Sequence, residues 1–164
     1  VWGSEDGSVV WACGYDSDNS RTVLLRIENG DVKIIYEGDS YGENNGYGIG
    51  LFGGLYGKRD NLFLMNTGWI FKQRNEDRLN VRFVTNITTW GYSIDGNDVN
   101  DIFVSGQQGL VGHYNGYSYK EYEELKNNND KYYSIAAKNK IIVTVGRRRL
   151  NEIQMFPNIT IGKQ

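Results

Sequence analysis

His113 is the only histidine among the 164 residues, and a lone imidazole can enter chemistry in two ways. It can act as a general base between a nucleophile and an orienting acid, or it can serve as one ligand of a metal. Cys13 is the only cysteine, so no multi-cysteine site can complete a metal set, and no Gly-x-Ser-x-Gly pattern supplies a nucleophile. His113 is therefore read as a packing or turn-bonding residue. The loops Asp16-Ser17-Asp18-Asn19 and Asp95-Gly96-Asn97-Asp98 alternate oxygen ligands as calcium favours, and Asp101 follows the second closely. Neither carries the terminal Glu of an EF-hand loop, so both are read as solvated turns, with calcium as the alternative. Glycoside hydrolysis needs two carboxyl groups roughly 5–10 Å apart. Asp60, Glu76, Asp77, Asp101, Glu121, Glu123 and Glu124 are available, but their spacing singles out no pair. The Gly-rich stretch from Tyr41 to Lys58 lacks the Gly-Lys-Ser/Thr of a phosphate loop and any βαβ frame. Its glycines are read as permitting close strand packing. No cofactor is expected.

The tyrosines give a positive functional signal. Tyr41, Tyr47, Tyr56, Tyr92, Tyr114, Tyr117, Tyr119, Tyr132 and Tyr133 are interleaved with Asn and Gly. That composition suits recognition of protein or carbohydrate, because tyrosine joins apolar area to a polar tip. Tyr92, Tyr114, Tyr117 and Tyr119 are the candidate binding residues, set against the reading that half or more of the tyrosines are cross-strand packing partners. Asn86-Ile87-Thr88 and Asn158-Ile159-Thr160 match the N-glycosylation pattern, but both fall in expected strands.

Net charge and hydropathy narrow the partners. At −2 with a pI near 5.5, the chain has no basic field for nucleic acid or an anionic membrane. Arg147-Arg148-Arg149 lies between two short apolar segments and is read as a solvated turn. Cys13 sits in the apolar run Val9 to Cys13 and is read as a buried thiol. No apolar stretch is long enough to span a bilayer and no signal peptide is seen. The chain starts on Val in what reads as a mid-domain segment, so a trimmed product of a longer chain is expected.

The elements that position these residues emerge from an internal repeat. Trp90 to Glu124 has a counterpart in Trp2 to Glu37: Trp-Gly, a polar turn, an apolar strand ending in Gly, a strand ending in Asn-Gly, then another strand. Gly14, Asn66, Gly106 and Gly146 mark corresponding strand ends at spacings of 52, 40 and 40 residues. Asn29-Gly30, Asn75-Glu76, Asn115-Gly116 and Pro157-Asn158 mark the following hairpin turns, and Asn-Gly favours the type I′ geometry. Four copies of four strands follow. They are expected at 1–4, 8–14, 22–28 and 31–37; 47–54, 60–66, 69–74 and 80–87; 88–94, 101–106, 109–115 and 117–124; and 132–137, 140–146, 150–156 and 158–162. The second strand of copies two to four is almost wholly apolar, as in Ile102-Phe103-Val104, which predicts burial on both faces.

A four-stranded repeat of this length is the signature of a β-propeller blade. The segment Asn100 to Tyr119, with Asp101-Ile102-Phe103-Val104-Ser105-Gly106 and His113-Tyr114-Asn115-Gly116, resembles the blades of secreted bacterial β-propeller repeat proteins. Val1 to Gly14 looks like the opening of the same unit. The resemblance implies a propeller in a secreted or surface protein, with no single activity attached.

The expectation is an all-β propeller of about four four-stranded antiparallel blades, at about 1–40, 45–87, 88–125 and 131–162. The chain opens on an innermost strand and finishes on an outer one, so an arc of a larger ring is preferred to a closed four-bladed ring. The expected function is non-catalytic: binding of a protein or glycan, or structural assembly, outside the cell or on its surface. Further blades of the same protein are candidate partners, and neither nucleic acid nor membrane insertion is expected. A fragment of a propeller-type glycan hydrolase is the alternative.

Overall fold

The structure, a computed structural model, describes residues 1–19, 21–39, 52–66, 68–74, 76, 78–151 and 154–163. Asn75, Asp77 and most of the Gly-rich stretch, including Tyr41 and Tyr47, lie outside them. The fold is all-β: the described residues form four antiparallel sheets, each running up and down in chain order, and the chain divides into two compact units, Val1–Val84 and Thr85–Gln164.

In the first unit, β1 (Trp2–Gly3), β2 (Val9–Asp16), β3 (Arg21–Glu28) and β4 (Asp31–Asp39) form one sheet. The hairpin between β3 and β4 turns on Asn29 and Gly30, both at positive φ (53° and 86°), as the Asn-Gly signal predicts. Next come β5 (Phe52–Lys58), β6 (Asn61–Asn66), β7 (Trp69–Arg74) and β8 (Arg82–Asn86), again as a four-stranded sheet. Of the first strand of this copy, expected at 47–54, residues 47–51 lie outside the described residues, and the described strand runs Phe52–Lys58. Five of the six residues of β6 are buried in succession, matching its apolar run. Val9, Trp11, Leu24, Leu55, Leu62, Leu64 and Phe71 form the core between the two sheets. Each such side chain contributes about 1.5–3 kcal/mol on burial.

In the second unit, β9 (Gly91–Asp98), β10 (Asp101–Gly106), β11 (Val111–Tyr114) and β12 (Tyr119–Glu121) form a four-stranded sheet, followed by a 3-10 turn at Glu123–Leu125. The last sheet has three strands: β13 (Asp130–Lys138), β14 (Ile141–Arg149) and β15 (Met155–Lys163). Phe103, Val111, Tyr132, Ile135 and Ile142 make the core between them. The innermost strands meet through side chains. Ser93 Oγ accepts from the Ile135 amide at 3.2 Å, Asp95 Oδ2 accepts from the Ala137 amide at 2.8 Å, and Asn97 Nδ2 donates to the Asn139 carbonyl at 3.0 Å.

The strand-end glycines of copies three and four have a steric cause. A Cβ on Gly106 would lie 2.0 Å from the Trp90 carbonyl oxygen, and one on Gly146 would lie 1.8 Å from that of Lys131. In each sheet the innermost strand shifts register opposite the glycine, which brings its backbone in. Gly14 meets nothing within 4 Å, because β1 is only two residues long.

Several expectations are corrected. The fourth copy has three strands because 150–156 and 158–162 are replaced by the single strand β15. Pro157 and Asn158 do not turn; they pair with Arg147 and Gly146 in mid-strand. Proline tolerates this position because an edge strand can leave its outward side without a donor. Arg147, Arg148 and Arg149 lie in β14 rather than in a turn, and Asp95 to Asp98 lie in β9. The Asn115-Gly116 hairpin is not type I′: only Gly116 has positive φ (90°), and Asn115 Oδ1 instead accepts from the amides of Tyr117 and Ser118. The second strand of the last sheet is covered on one face only. In β14, Ile142 and Thr144 are buried while Ile141 and Val145 are exposed.

Candidate functional site

The four candidate tyrosines do not form one patch. Tyr114, Tyr117 and Tyr119 belong to the hairpin joining β11 and β12, where Tyr114 and Tyr119 face each other in register. Tyr92 lies near the start of β9, level with the Gly106 end of β10, whereas Tyr114 pairs with Ile102 at the other end. Register across β10 therefore separates Tyr92 from the rest.

Within the hairpin the roles divide. Tyr117 is 95% exposed at the tip, on a turn held by the Asn115 side chain. Tyr114 donates its hydroxyl to the Gly116 carbonyl at 2.8 Å, which stiffens the same turn. Tyr119 is structural: its ring covers Gly112, its hydroxyl donates to Glu121 Oε1 at 3.3 Å, and burial together with the Glu121 charge pushes its ionisation upward. Tyr92 is also committed. It accepts from Gln107 Nε2 at 2.6 Å and stacks on Tyr133 at 5.4 Å between centroids, with the Arg147 guanidinium 5.6 Å from the Tyr133 ring. Tyr56 and Tyr132 are buried.

The titratable candidates are engaged in holding sheets together. His113 Nε2 is 2.8 Å from Asp101 Oδ1, and its ring stacks on Phe103 at 4.3 Å and 4°. Asp101 Oδ2 also accepts from Asn97 Nδ2 at 2.7 Å. This places His113 in a packing and turn-bonding role. Glu121 is buried and accepts from the Thr88 amide and hydroxyl at 2.9 and 2.6 Å, with Lys126 at 2.9 Å. Burial alone would raise its pKa; the Thr88 and Lys126 bonds outweigh that and hold it below the usual carboxylate range. Buried Asp130 is clasped by Arg148 through two bonds of 2.7 and 2.8 Å and by Asn158 at 3.1 Å. The Asn158 amide is thus spent inside unit two, against a role as a glycan acceptor. In the Asp16 loop, Asp16 caps its own turn by accepting from Asp18 and Asn19. Among the described residues, no three His, Cys, Asp or Glu side chains converge as a metal site requires.

One cleft stands beside these groups, with a volume of about 200 Å³ and a largely apolar wall. Phe103, Val111, Tyr122 and Leu125 form one side, and Ile142, Thr144, Thr160 and Gly162 of β14 and β15 form the other. The Thr144 hydroxyl on its wall is buried and has no hydrogen-bond partner. Sequence reasoning missed this cleft because it took Pro157 for a turn; an edge-strand reading of Met155 to Ile161 was the signal that could have found it.

The class defined by this pairing is an all-β protein built of up-and-down antiparallel sheets of the β-propeller blade type. No protein-family model matches the chain, and no curated protein matches it in sequence. Among solved structures it is similar to the N-terminal domain of Nup159, itself a β-propeller, at 10% identity with a TM-score of 0.49 over 94% of this chain. The chain spans 44% of that neighbour's length. The fold class rests on the strand pairing itself.

Proposed function

We propose that the chain is a non-catalytic propeller-type module that docks a protein or glycan partner through the β11–β12 hairpin. We place it in a larger ring of blades belonging to a secreted or surface protein. The observation that carries the docking reading is Tyr117: a large side chain left 95% exposed at the tip of a turn that Asn115 and Tyr114 hold rigid. A preorganised aromatic loses little conformational entropy on binding.

Support for further blades comes from two open apolar faces. Val32 and Ile34 of β4 are exposed on the first sheet, and Ile141, Val145, Ile159 and Ile161 are exposed on the last. Such faces are what neighbouring blades cover in a propeller. The sequence resemblance to secreted bacterial propeller repeats favours the extracellular setting.

A glycan array and a displayed random-peptide library, each probed with the purified chain and with Tyr117→Ala, test the docking claim. The reading expects ligands that the native chain binds and the variant loses by about tenfold or more, the size of a modest hot spot. Ligands bound equally by both would move the site elsewhere, and no ligand from either collection would sink the reading.

A further inference from the structure

Trp90 is a large side chain left 58% exposed on a backbone held from two sides. Its carbonyl accepts the Gln107 amide at 2.8 Å and closes on Gly106, where a Cβ would lie 2.0 Å away. Register slips between the Ser105–Ser93 and Gly106–Gly91 pairs, so Tyr92 falls in a bulge with no residue opposite. Tyr133 occupies the corresponding bulge of β13, between Tyr132 and Ser134, and the two re-aimed rings stack on each other. With its ring committed there, Tyr92 accepts from Gln107 Nε2 at 2.6 Å and fixes that amide, leaving Oε1 available to an outside donor.

The turn that follows carries strain it does not need for its own stability. The Leu110 amide bonds the Gln107 carbonyl at 2.9 Å, and the two central residues, Gln108 and Gly109, have φ of 57° and 71°. Asn-Gly suits such a turn, whereas glutamine is disfavoured in the left-handed region. The backbone is clamped all the same: the Gln108 carbonyl accepts from the Asn127 amide at 2.9 Å, and the Gly109 amide donates to the Asp130 carbonyl at 3.0 Å. The Gln108 side chain is exposed and bonds nothing among the described residues. A residue held in strain without local use is kept for something outside the turn.

Trp90, Gln107 and Gln108 therefore stand together on a rigid base at one end of β10. An indole face takes the C–H groups of a sugar ring, and an amide both donates and accepts, as sugar hydroxyls do. Nearby charges are engaged or turned aside. Asp130 is clasped by Arg148, Arg147 lies over Tyr133 and bonds Met155 Sδ at 3.1 Å, and alternation puts Lys131 on the face of its sheet opposite buried Tyr132.

We propose that Trp90, Gln107 and Gln108 form a binding site for a neutral oligosaccharide, with a sugar ring on the indole and its hydroxyls bonded by the two amides. The site lies at the opposite end of β10 from the Tyr117 hairpin and does not rest on that reading.

The test titrates the purified chain with maltohexaose, cellohexaose and mannohexaose. Trp11 is buried and Trp2 and Trp69 are half-buried, so exposed Trp90 dominates quenching of fluorescence by acrylamide. At least one sugar should shift the emission and shield it from acrylamide. By calorimetry, Trp90→Ala should weaken that sugar about tenfold or more. Gln108→Gly suits the turn better than the native residue, so the melting temperature holds or rises, yet the sugar should weaken about two- to tenfold, as loss of one hydrogen bond does. Tyr117→Ala should bind it unchanged. No response to any of the three at millimolar concentration, native affinity in Trp90→Ala or Gln108→Gly, loss of the sugar in Tyr117→Ala, or Trp90-dependent capture of displayed peptides in place of sugar would each overturn the proposal.

Discussion

The carboxylate of Asp95 accepts a hydrogen bond from the backbone amide of Ala137 at 2.8 Å, joining two sheets through a side chain. Strand β13 is the edge of its sheet, so its outward amides need partners that are not a strand. Ser93 and Asp95 provide them, and Asn97, next in the two-residue period of β9, donates instead to the Asn139 carbonyl just past β13. Replacing Asp95 by Ala strands the Ala137 donor and should cost about 1–3 kcal/mol in urea unfolding, whereas Asp95→Asn, which keeps an acceptor, should cost less. Equal unfolding midpoints for Asp95→Ala and the native chain would refute the latch.

The close-approach glycines predict a contrast within the repeat. Gly106→Ala and Gly146→Ala force a carbonyl aside and should each destabilise by about 1–3 kcal/mol. Gly14→Ala, which meets open space, should stay within about 0.5 kcal/mol. Thermal unfolding of the three variants checks this, and a uniform effect would contradict it.

Acid should destabilise the fold. The Glu121 carboxyl is held below its ordinary 4.5, and that of Asp6 is drawn from 3.8 to about 2 by the Ser4 hydroxyl and by the Ser8 amide and hydroxyl. Because both are lowered on folding, the unfolded chain takes up protons first. The stability they contribute is complete above about pH 4.5 and is lost as pH falls through the folded values, with the Asp6 part going between 3.8 and about 2. Denaturant unfolding at neutral pH and at steps below 4.5 should show this decline, and Glu121→Gln should flatten its upper part. An unchanged slope in that variant would remove Glu121 from the account.

Two tyrosines two positions apart in one hairpin should separate in the tube. Tyr117→Ala should leave unfolding within about 0.5 kcal/mol of native, since the ring touches solvent. Tyr119→Ala should cost about 2–4 kcal/mol through lost packing over Gly112 and a lost bond to Glu121. Circular dichroism melts decide it; comparable losses would mean that Tyr117 packs.

Local signals were legible and long-range ones were not. Asn29-Gly30 announces its turn because that dipeptide readily places two residues at positive φ. Gly106 and Gly146 recur because a neighbouring carbonyl occupies the place of a Cβ. Pro157 misleads, since proline favours both turns and edge strands and only the partner strand decides between them. The four tyrosines looked equivalent until register across β10 divided them. Thr88 and Glu121 lie 33 residues apart, beyond any local pattern.

Residue-by-residue amide exchange of the purified chain tests the central claim most directly: four blade-type sheets among the described residues, the last two latched through side chains of β9. Slow exchange is predicted for the second strands β2, β6, β10 and β14 and for Ile135 and Ala137 at the latch. Free exchange at Ile135 and Ala137 would contradict the account.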